Sequence, residues 1–272
     1  MSSRGIGAQL LDLLFPPRCQ VCGGFSANPL CETCAADVQF IDRPACLCCG
    51  KPLREDAEPE CRPGGLCEDC RGGRHLLSAA RSCGLHTDAL REAIIAYKFH
   101  ARRNLAPVFA EMLAETVREA GDPARGPRLP LDRCEALLPV PLHPARRQWR
   151  GFDQSELLCE HLAERLGMPM WTDVLERVRD TTPQTELSGR SRRSNVRRAF
   201  QARKSWRLRG RSLILVDDVF TTGATLDECA LTLKRAGAGA VYGLTVSRAV
   251  PYWHFDALAA GDAEDTGGTT DA

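Results

Sequence analysis

Apolar residues between about residues 79 and 250 recur with the spacings of helices and strands. Some segments repeat them every three to four residues, as in a helix with one buried face, and others are short continuous apolar runs, as in buried strands. Residues 121–130 are rich in glycine and proline and are expected to form a loop. Predicted helices cover residues 90–99, 105–120, 155–167 and 224–238, and predicted strands cover 136–142, 212–218 and 240–249. Strands that alternate with helices at this spacing predict βαβ units and a mainly parallel sheet.

The segments on either side of this region have a different composition. Residues 1 to about 75 are rich in Cys, Pro and Gly and contain few periodic apolar runs, and the last residues are small and acidic. We therefore expect a small loop-rich domain over 1–75, an α/β domain over 76–252 and a disordered acidic tail over 253–272.

The composition limits the classes of protein to consider. Of the 272 residues, 43% are hydrophobic and 26% charged, which is typical of a globular protein. The formal net charge of +1 indicates no particular partner, and no apolar run is long enough to predict a transmembrane helix. The first residues lack the features of a secretory signal, so we expect a cytoplasmic protein. In a reducing compartment the 14 cysteines indicate metal binding more than disulfides, and 10 of them lie between Cys19 and Cys70.

Most of the cysteines form CxxC pairs. Two residues between two thiolates allow a tight turn that directs both sulfur atoms at one metal ion, and two such turns complete a tetrahedral site. Gly23 and Gly50 each follow a pair, where such a turn needs a positive φ. We expect two structural zinc sites, with disulfides or an iron–sulfur cluster as alternatives, and with Cys48 and Cys61 as spare ligands near the second site. The first predicted site is Cys19, Cys22, Cys31 and Cys34, and the second is Cys46, Cys49, Cys67 and Cys70. The other cysteines lie among apolar residues and are expected in the core: Cys83, Cys134, Cys159 and Cys229.

The sequence LILVDDVFTTGAT, residues 213–225, combines three features of a sugar-phosphate site. Its apolar residues predict a central strand, two carboxylates lie at the end of that strand, and a turn rich in hydroxyl groups opens the next helix. Adjacent carboxylates can accept hydrogen bonds from two vicinal hydroxyls, and backbone N–H groups at a helix N-terminus bind anions. Open α/β sheets bind their ligands at this edge. We assign the ribose hydroxyls to Asp217 and Asp218, and the phosphate to Thr221, Thr222, Gly223, Ala224 and Thr225.

Two other classes of protein fit this pattern less well. A receiver domain also has an acidic pair after a strand, but it needs about a hundred residues after that pair, and far fewer follow Asp218 here. The chain contains no GxxxxGK[ST] motif, so a P-loop nucleotide enzyme is not supported.

A second segment supports an anion site. Val140, Pro141 and Leu142 end a predicted strand in a turn bracketed by prolines, and Arg146 and Arg150 follow closely. Free backbone amides in such a turn, together with nearby arginines, suit a diphosphate. The alternative is an ordinary strand exit with solvated arginines.

The order of these motifs resembles the ComF family, which comprises the late-competence ComFC-like and GntX-like proteins. The resemblance covers about residues 8–250 and includes LLFPPRCQVCG, Tyr97-Lys98-Phe99, PVPLHPARRQWRGFDQSE, PQTELSGRSRRSNVRRAF and ILVDDVFTTGATL. The last of these also resembles the phosphoribosyl-diphosphate (PRPP) motif of type I phosphoribosyltransferases. Asp153 departs from the family's RGFNQ segment, where asparagine is expected, and an acid there would weaken any anion contact from that side chain.

The resemblance implies an α/β fold, with a type I phosphoribosyltransferase-like parallel sheet flanked by helices and a small N-terminal double zinc ribbon. It also implies that PRPP or a ribose 5-phosphate group binds, with Mg²⁺ accompanying PRPP. The implied role is in DNA uptake during natural transformation, with single-stranded DNA and the competence machinery at the inner membrane face as partners.

Basic residues concentrate between Ser188 and Arg211, where 10 of them occur without an acidic residue. Together with Arg102, Arg103 and the basic group at 146–150, such a segment is typical of a positive face around the cleft that binds nucleic acid in a salt-dependent way, with Phe200 and Trp206 as candidate stacking groups. The alternative is a solvated hood loop over the ligand, and Phe200 is expected to be a core residue. Candidate contacts of either kind are Lys98, Gln184, Arg192, Arg193, Asn195 and Arg197.

These observations favour a PRPP-binding or ribose 5-phosphate-binding protein that acts in DNA uptake. The alternatives are an active phosphoribosyltransferase with an unknown acceptor and a regulator that senses PRPP. Purine salvage of the 6-oxopurine type is disfavoured, because such enzymes have an acid in the phosphate loop where this chain has Thr221. No catalytic residue is assigned.

Overall fold

The computed structural model of the chain describes residues 15–41, 44–53, 65–73, 75–118, 129–181 and 194–250. Several predicted features lie outside these residues, namely Cys61, Gln184, Arg192, Arg193, most of the 121–130 loop and the 253–272 tail.

Helices and strands alternate along the described part of the chain, after a cysteine-rich start. The helices are α1 (Glu32–Ala36), α2 (Glu68–Arg71), α3 (Asp88–Phe99), α4 (Ala106–Arg118), α5 (Pro144–Arg150), α6 (Gln154–Leu166) and α7 (Ala224–Arg235). The strands are β1 (Ala79–Leu85), β2 (Cys134–Pro139), β3 (Leu175–Arg177), β4 (Phe200–Ala202), β5 (Ser212–Phe220) and β6 (Val241–Arg248).

The central sheet consists of parallel strands in the order β1-β6-β5-β2, and β3 and β4 form a separate antiparallel pair. Alternate residues of β5 serve two hydrophobic cores. Ile214 and Val216 belong to the core that contains α3, α4 and α6, whereas Leu213 and Leu215 belong to the core that contains α7. Helices therefore flank both faces of the sheet, which confirms the predicted α/β class. Because the four strands of this sheet are parallel, their carboxyl ends lie along one edge.

Most of the predicted elements are present. The three predicted strands correspond to β2, β5 and β6, and the four predicted helices to α3, α4, α6 and α7. β5 continues to Phe220, so the acidic pair lies inside the strand and not after it. β1 has no counterpart among the predicted strands because Arg81 and Ser82 interrupt its apolar pattern, yet both are buried. Ser82 Oγ lies 2.6 Å from Thr245 Oγ1 on β6, which satisfies that hydroxyl.

Residues 140–143 connect β2 to a helix that the sequence pattern did not predict. α5 has Pro144 in its first turn and ends at Gly151, which has a φ of 75°. Proline at the start and glycine past the end are helix signals. The N–H groups of Arg146 and Arg147 both donate to the carbonyl of His143, at 2.9 and 3.0 Å, so they are not free for an anion.

The cysteine-rich segment covers the edge of β1. The N–H of Ile41 donates to the carbonyl of Cys83, and the N–H of Ala80 donates to that of Cys48, at 2.8 and 2.7 Å. These hydrogen bonds satisfy backbone groups that an edge strand would otherwise expose.

Among the described residues, none of the helices has the length and apolar character needed to cross a membrane.

Candidate ligand cavity and metal sites

A cavity of about 670 Å³ opens where the carboxyl ends of the strands meet. It brings together the two predicted anion segments, which lie far apart in the sequence. Thr222 is not among its lining residues, and its Oγ1 accepts a hydrogen bond from the N–H of Ala224 at 3.4 Å. Asn195 and Arg197 also lie outside the lining. The predicted residues that line the cavity are Lys98, Val140, Pro141, Leu142, Arg146, Arg150, Asp217, Asp218, Thr221, Gly223, Ala224 and Thr225.

The two adjacent carboxylates have different partners. Asp218 is buried, and its Oδ1 lies 2.7 Å from Lys98 Nζ, so the two form an ion pair at the cavity wall. Asp217 Oδ1 accepts hydrogen bonds from Ser155 Oγ at 2.9 Å and from the N–H of Asp218 at 3.0 Å. One carboxylate is thus neutralised by a cation and the other is held only by neutral donors.

This difference affects protonation. Burial, with a further contribution from the negative charge of Asp218, raises the pKa of Asp217 to about 7, while Lys98 opposes the shift. A carboxylate that titrates near neutral pH accepts ligand hydroxyl groups or a cation readily, because either one stabilises its charged form. Perturbed groups of this kind in a cleft are typical of functional sites.

The turn after β5 requires glycine at position 223. Gly223 has a φ of 77° and precedes α7. A Cβ at this position would lie 2.7 Å from Phe220 Cζ and 2.7 Å from His75 Cε1, so any side chain would displace the turn. Ala224 and Thr225, which begin α7, line the cavity, and the amides of a helix N-terminus favour an anion.

Asp153, which departs from the family pattern, organises the segment after β2. It is buried, and its Oδ2 accepts the N–H of Leu142 at 3.0 Å while its Oδ1 accepts the N–H of Glu156 at 3.1 Å. It therefore caps α6 and holds the preceding turn with the same side chain. The amide of Leu142 is not free for a diphosphate, contrary to expectation. An asparagine would offer only one acceptor oxygen for these two amides.

The two predicted arginines of this segment differ in their partners. Arg146 donates to the carbonyl of Thr181, and its Nε lies 3.3 Å from Asp180 Oδ1. Arg150 Nη1 donates to Gln154 Oε1 at 2.9 Å, but its buried Nε has no hydrogen-bond partner among the described residues. Burial lowers the pKa of Arg150, which remains within reach of the charges of Asp218 and Asp217. An unsatisfied buried donor that lines a cavity is well suited to an anionic ligand.

Four cysteine sulfur atoms converge in each of the two predicted sets. Within each set they all lie within 4.8 Å of one another. The sulfur atoms of Cys22 and Cys31 are 3.8 Å apart, and those of Cys49 and Cys67 are 3.7 Å apart. A tetrahedron of sulfur atoms bound to zinc at about 2.3 Å has edges of about 3.8 Å, so both sets fit a zinc ion. Cys48 lies beside the second set and is not one of its four members.

Arg248 connects the second cysteine set to the end of β5, where the turn that precedes α7 (residues 221–223, called the phosphate turn because of its predicted ligand) begins. This buried residue donates from Nη1 to the carbonyl of Cys49 at 2.6 Å, and its Nη2 lies 3.3 Å from Cys49 Sγ. Its guanidinium lies 4.1 Å from the ring centroid of Phe220, the last residue of β5. Four thiolates around Zn²⁺ leave an excess of negative charge, which an arginine offsets.

A second connection runs through His75, just after α2. Its Nδ1 lies 2.9 Å from Asp227 Oδ2 on α7, and Asp227 Oδ1 accepts the N–H of Leu76 at 2.8 Å. His75 also contacts the Phe220 ring edge-on, with centroids 5.6 Å apart. Sequence reasoning assigned no role to His75, Ser155, Asp227 or Arg248. For Arg248, the available signal was a basic residue at the end of an otherwise apolar strand.

Four basic residues of the described part of the basic segment form ion pairs. Arg203 pairs with Glu176, and Lys204 and Arg207 both pair with Asp173. The guanidinium of Arg207 also covers the Trp171 ring, and Arg211 pairs with Glu135. The acids come from elsewhere in the chain, so the charge of residues 203–207 is reduced but not cancelled, since three cations share two carboxylates. Phe200 is a core residue, as predicted, and Trp206 is exposed but does not line the cavity.

The sequence matches the double zinc ribbon domain over residues 10–71. The DNA utilization protein YhgH of Salmonella typhi is 33% identical over 220 residues, which cover 78% of this chain and 93% of that protein. Competence protein F of Haemophilus influenzae is 31% identical over 224 residues, which cover 81% of this chain and 92% of that protein. Among solved structures, the glutamine phosphoribosylpyrophosphate amidotransferase from B. subtilis has 20% identity and a TM-score of 0.35, and the match covers 56% of this chain and 30% of that chain.

Proposed function

Because this chain belongs to the ComF family, we propose that it acts in the use of DNA taken up by the cell, and that its cavity binds a ribose 5-phosphate group. The ligand is PRPP or the phosphorylated sugar of a nucleotide. The family relationship supports the first part of this proposal, since relatives over 30% identical across nearly their whole length are named for DNA utilization and competence.

The second part rests on one observation, the arrangement of Asp217, Asp218 and the 221–225 turn around a single cavity. A phosphorylated sugar has an anionic end and a hydroxyl-bearing end. The amides at the start of α7 suit the phosphate, and the two carboxylates suit the hydroxyls. Arg150, with its unpartnered Nε in the same cavity, suits the second anionic group of PRPP.

Mg²⁺ enters this proposal with PRPP. Oxygen donors of the kind that Mg²⁺ prefers are present in Asp217 and Asp218, so the residues fit the ion in their chemistry. Lys98 already neutralises Asp218, which leaves Asp217 as the carboxylate free to respond to a bound ion or hydroxyl group. Mg²⁺ supplies charge neutralisation for the diphosphate, and the protein supplies the shape of the cavity.

The test is a calorimetric titration of the zinc-loaded protein with PRPP and Mg²⁺. The Asp217→Asn/Asp218→Asn variant keeps the shape of both side chains and removes their charge. We expect binding by the unmodified protein and at least a ten-fold loss in this variant. Asp132→Asn, an exposed carboxylate just before β2, is the control and leaves the affinity unchanged. Absence of binding in a folded, zinc-replete sample would refute the ribose 5-phosphate site.

The same samples separate binding from turnover. Nucleobases and nucleic acids are therefore added as candidate acceptors. If diphosphate is released only with an acceptor and only when both carboxylates are intact, the phosphoribosyl group passes to that acceptor and the protein is a transferase. If PRPP binds and no acceptor causes release of diphosphate, the cavity acts as a ligand-binding site within a DNA-handling protein.

A further inference from the structure

Two large aromatic side chains are exposed at the mouth of the cavity. Phe99 is 49% exposed and Trp149 is 73% exposed, and both line the opening. Their ring centroids are 6.5 Å apart with an angle of 63° between the planes, so the two rings meet edge to face. Exposed aromatic rings beside a cavity are costly in water, and they are typical of a surface that a flat ligand covers.

Each of these aromatic residues is adjacent in the sequence to a charged residue that lines the cavity. Phe99 directly follows Lys98, which pairs with Asp218, and Trp149 directly precedes Arg150, which lines the cavity. The guanidinium of Arg150 lies 5.0 Å from the Phe99 ring centroid. A ligand held by the carboxylates and Arg150 therefore has the two rings beside it at the opening.

The surface around the rings is basic. Arg147 and Arg91 are exposed and each pairs with one acid, Glu156 and Glu92 respectively. Other exposed basic residues of the same two segments are His100, Arg102 and Arg103. Positive charge beside aromatic faces matches a phosphodiester chain that carries unpaired bases, because the charges contact the phosphates and the rings stack on the bases.

We propose that Phe99 and Trp149 form a stacking site for an unpaired nucleobase, carried by a DNA strand that passes the mouth of the cavity. This inference rests on the proposed ribose 5-phosphate site and extends it. It assigns the single-strand contact to the mouth of the cavity and not to the segment around Trp206, which lies outside the cavity lining. Base-edge hydrogen bonds are not required, so the site accepts every base.

The test compares two 5′-phosphorylated pentanucleotides at constant salt. One is pentathymidylate, and the other has an abasic site at every position. We expect the unmodified protein to bind pentathymidylate about ten-fold more tightly, since stacking contributes this much per base. The Phe99→Leu/Trp149→Leu variant loses this difference and still binds the abasic strand. Trp206→Leu removes a ring of the same 73% exposure away from the cavity and keeps the difference.

Uridine 5′-monophosphate has both ribose hydroxyls and shows whether a nucleotide held in the cavity also stacks on the rings. A preference for it over ribose 5-phosphate that the double variant loses indicates that the stacked base belongs to the nucleotide in the cavity. A preference seen only with pentathymidylate indicates a nucleotide outside the cavity.

The outcomes also separate this inference from the proposed function. If neither PRPP nor the abasic strand binds, the ribose 5-phosphate site itself is refuted, and this inference with it. If both bind but bases add no affinity, or if the added affinity survives in the double variant, the stacking site is refuted and the ribose 5-phosphate site stands.

Discussion

The two cysteine sites have the same ligands and the same type of turn, but they are built into the molecule differently. In the first site Cys22 is exposed and Cys31 is half buried, whereas all four cysteines of the second site are buried. The first site packs through Cys19 and Cys34 against the core that contains α3 and α4. The second site contacts the wall of the ligand cavity through Arg248 and Phe220.

This difference indicates that one motif serves two purposes in the same chain. The first site stabilises a local loop. The second site holds the turn between β5 and α7 in place, because Arg248 and His75 both contact Phe220, the residue before that turn. A metal ion that takes no part in binding a ligand can still fix the shape of the pocket, as supporting residues do around a metal. The comparison predicts that damage to the two sites has unequal effects on the cavity.

The largest difference is expected from the loss of a cysteine ligand. Cys67→Ser should lower the zinc content by one ion and reduce PRPP affinity by at least ten-fold, since the second site supports the phosphate turn. Cys22→Ser should also cost one zinc ion but leave PRPP affinity within about two-fold, because the exposed first site does not contact the turn. Zinc analysis and calorimetry on both variants measure the two effects. Equal losses of PRPP affinity would contradict the comparison.

A second contrast uses the glycine that follows each cysteine pair. Gly23 and Gly50 have nearly the same φ, 72° and 66°, but a Cβ at Gly23 meets nothing within 4 Å. At Gly50 it would lie 2.6 Å from the carbonyl oxygen of Ala80 in β1. Gly23→Ala should therefore cost about 1–2 kcal/mol of unfolding free energy from the left-handed backbone alone. Gly50→Ala should cost about 1–3 kcal/mol more, because backbone must move. Denaturant unfolding of both variants measures the costs, and similar values would show that the second site is no more tightly fitted than the first.

The sequence predicted the fold well where apolar periodicity was strong. β2, β5 and β6 each contain a run of mostly apolar residues, such as residues 213–216 in β5, and α4 and α6 repeat apolar residues with helical spacing. β1 was missed because Arg81 and Ser82 look solvent-exposed in a sequence. Their burial depends on partners contributed by other parts of the fold, such as Thr245 for Ser82.

Only the part of the candidate site that lies in one continuous motif was predicted from the sequence. Asp217, Asp218 and the threonine turn lie in one continuous motif, so their proximity follows from the sequence. Lys98 was named from the family resemblance, but its ion pair with Asp218 depends on how α3 packs beside β5. Arg248 and His75 have no motif at all, since their roles arise only when the second cysteine site folds against the sheet.

A smaller effect is expected from Arg248, the direct link between the second site and the turn. Arg248→Met should lower the unfolding free energy by about 2 kcal/mol, because the carbonyl of Cys49 loses a charged donor. PRPP affinity should fall about five-fold as Phe220 loses the guanidinium that packs against its ring. Arg211→Met removes an exposed arginine that pairs with Glu135, and should change neither quantity measurably. If Arg248→Met lowered stability and left PRPP affinity intact, Arg248 would support only the metal site.

The smallest effect is expected from His75, the second and weaker link. His75→Ala removes the contact with Asp227 on α7 and the edge contact with Phe220, and should cost about 1 kcal/mol. Asp227 keeps the N–H of Leu76 as a partner, so α7 remains linked to the segment after α2 and PRPP affinity should fall only about two- to three-fold. His161→Ala, on α6 and outside the cavity lining, is the matched control for loss of a partly buried imidazole. A larger loss of affinity from His75→Ala than from Arg248→Met would reverse the order of the two links, and would make the segment after Cys70, not the turn at Cys49, the main support of the phosphate site.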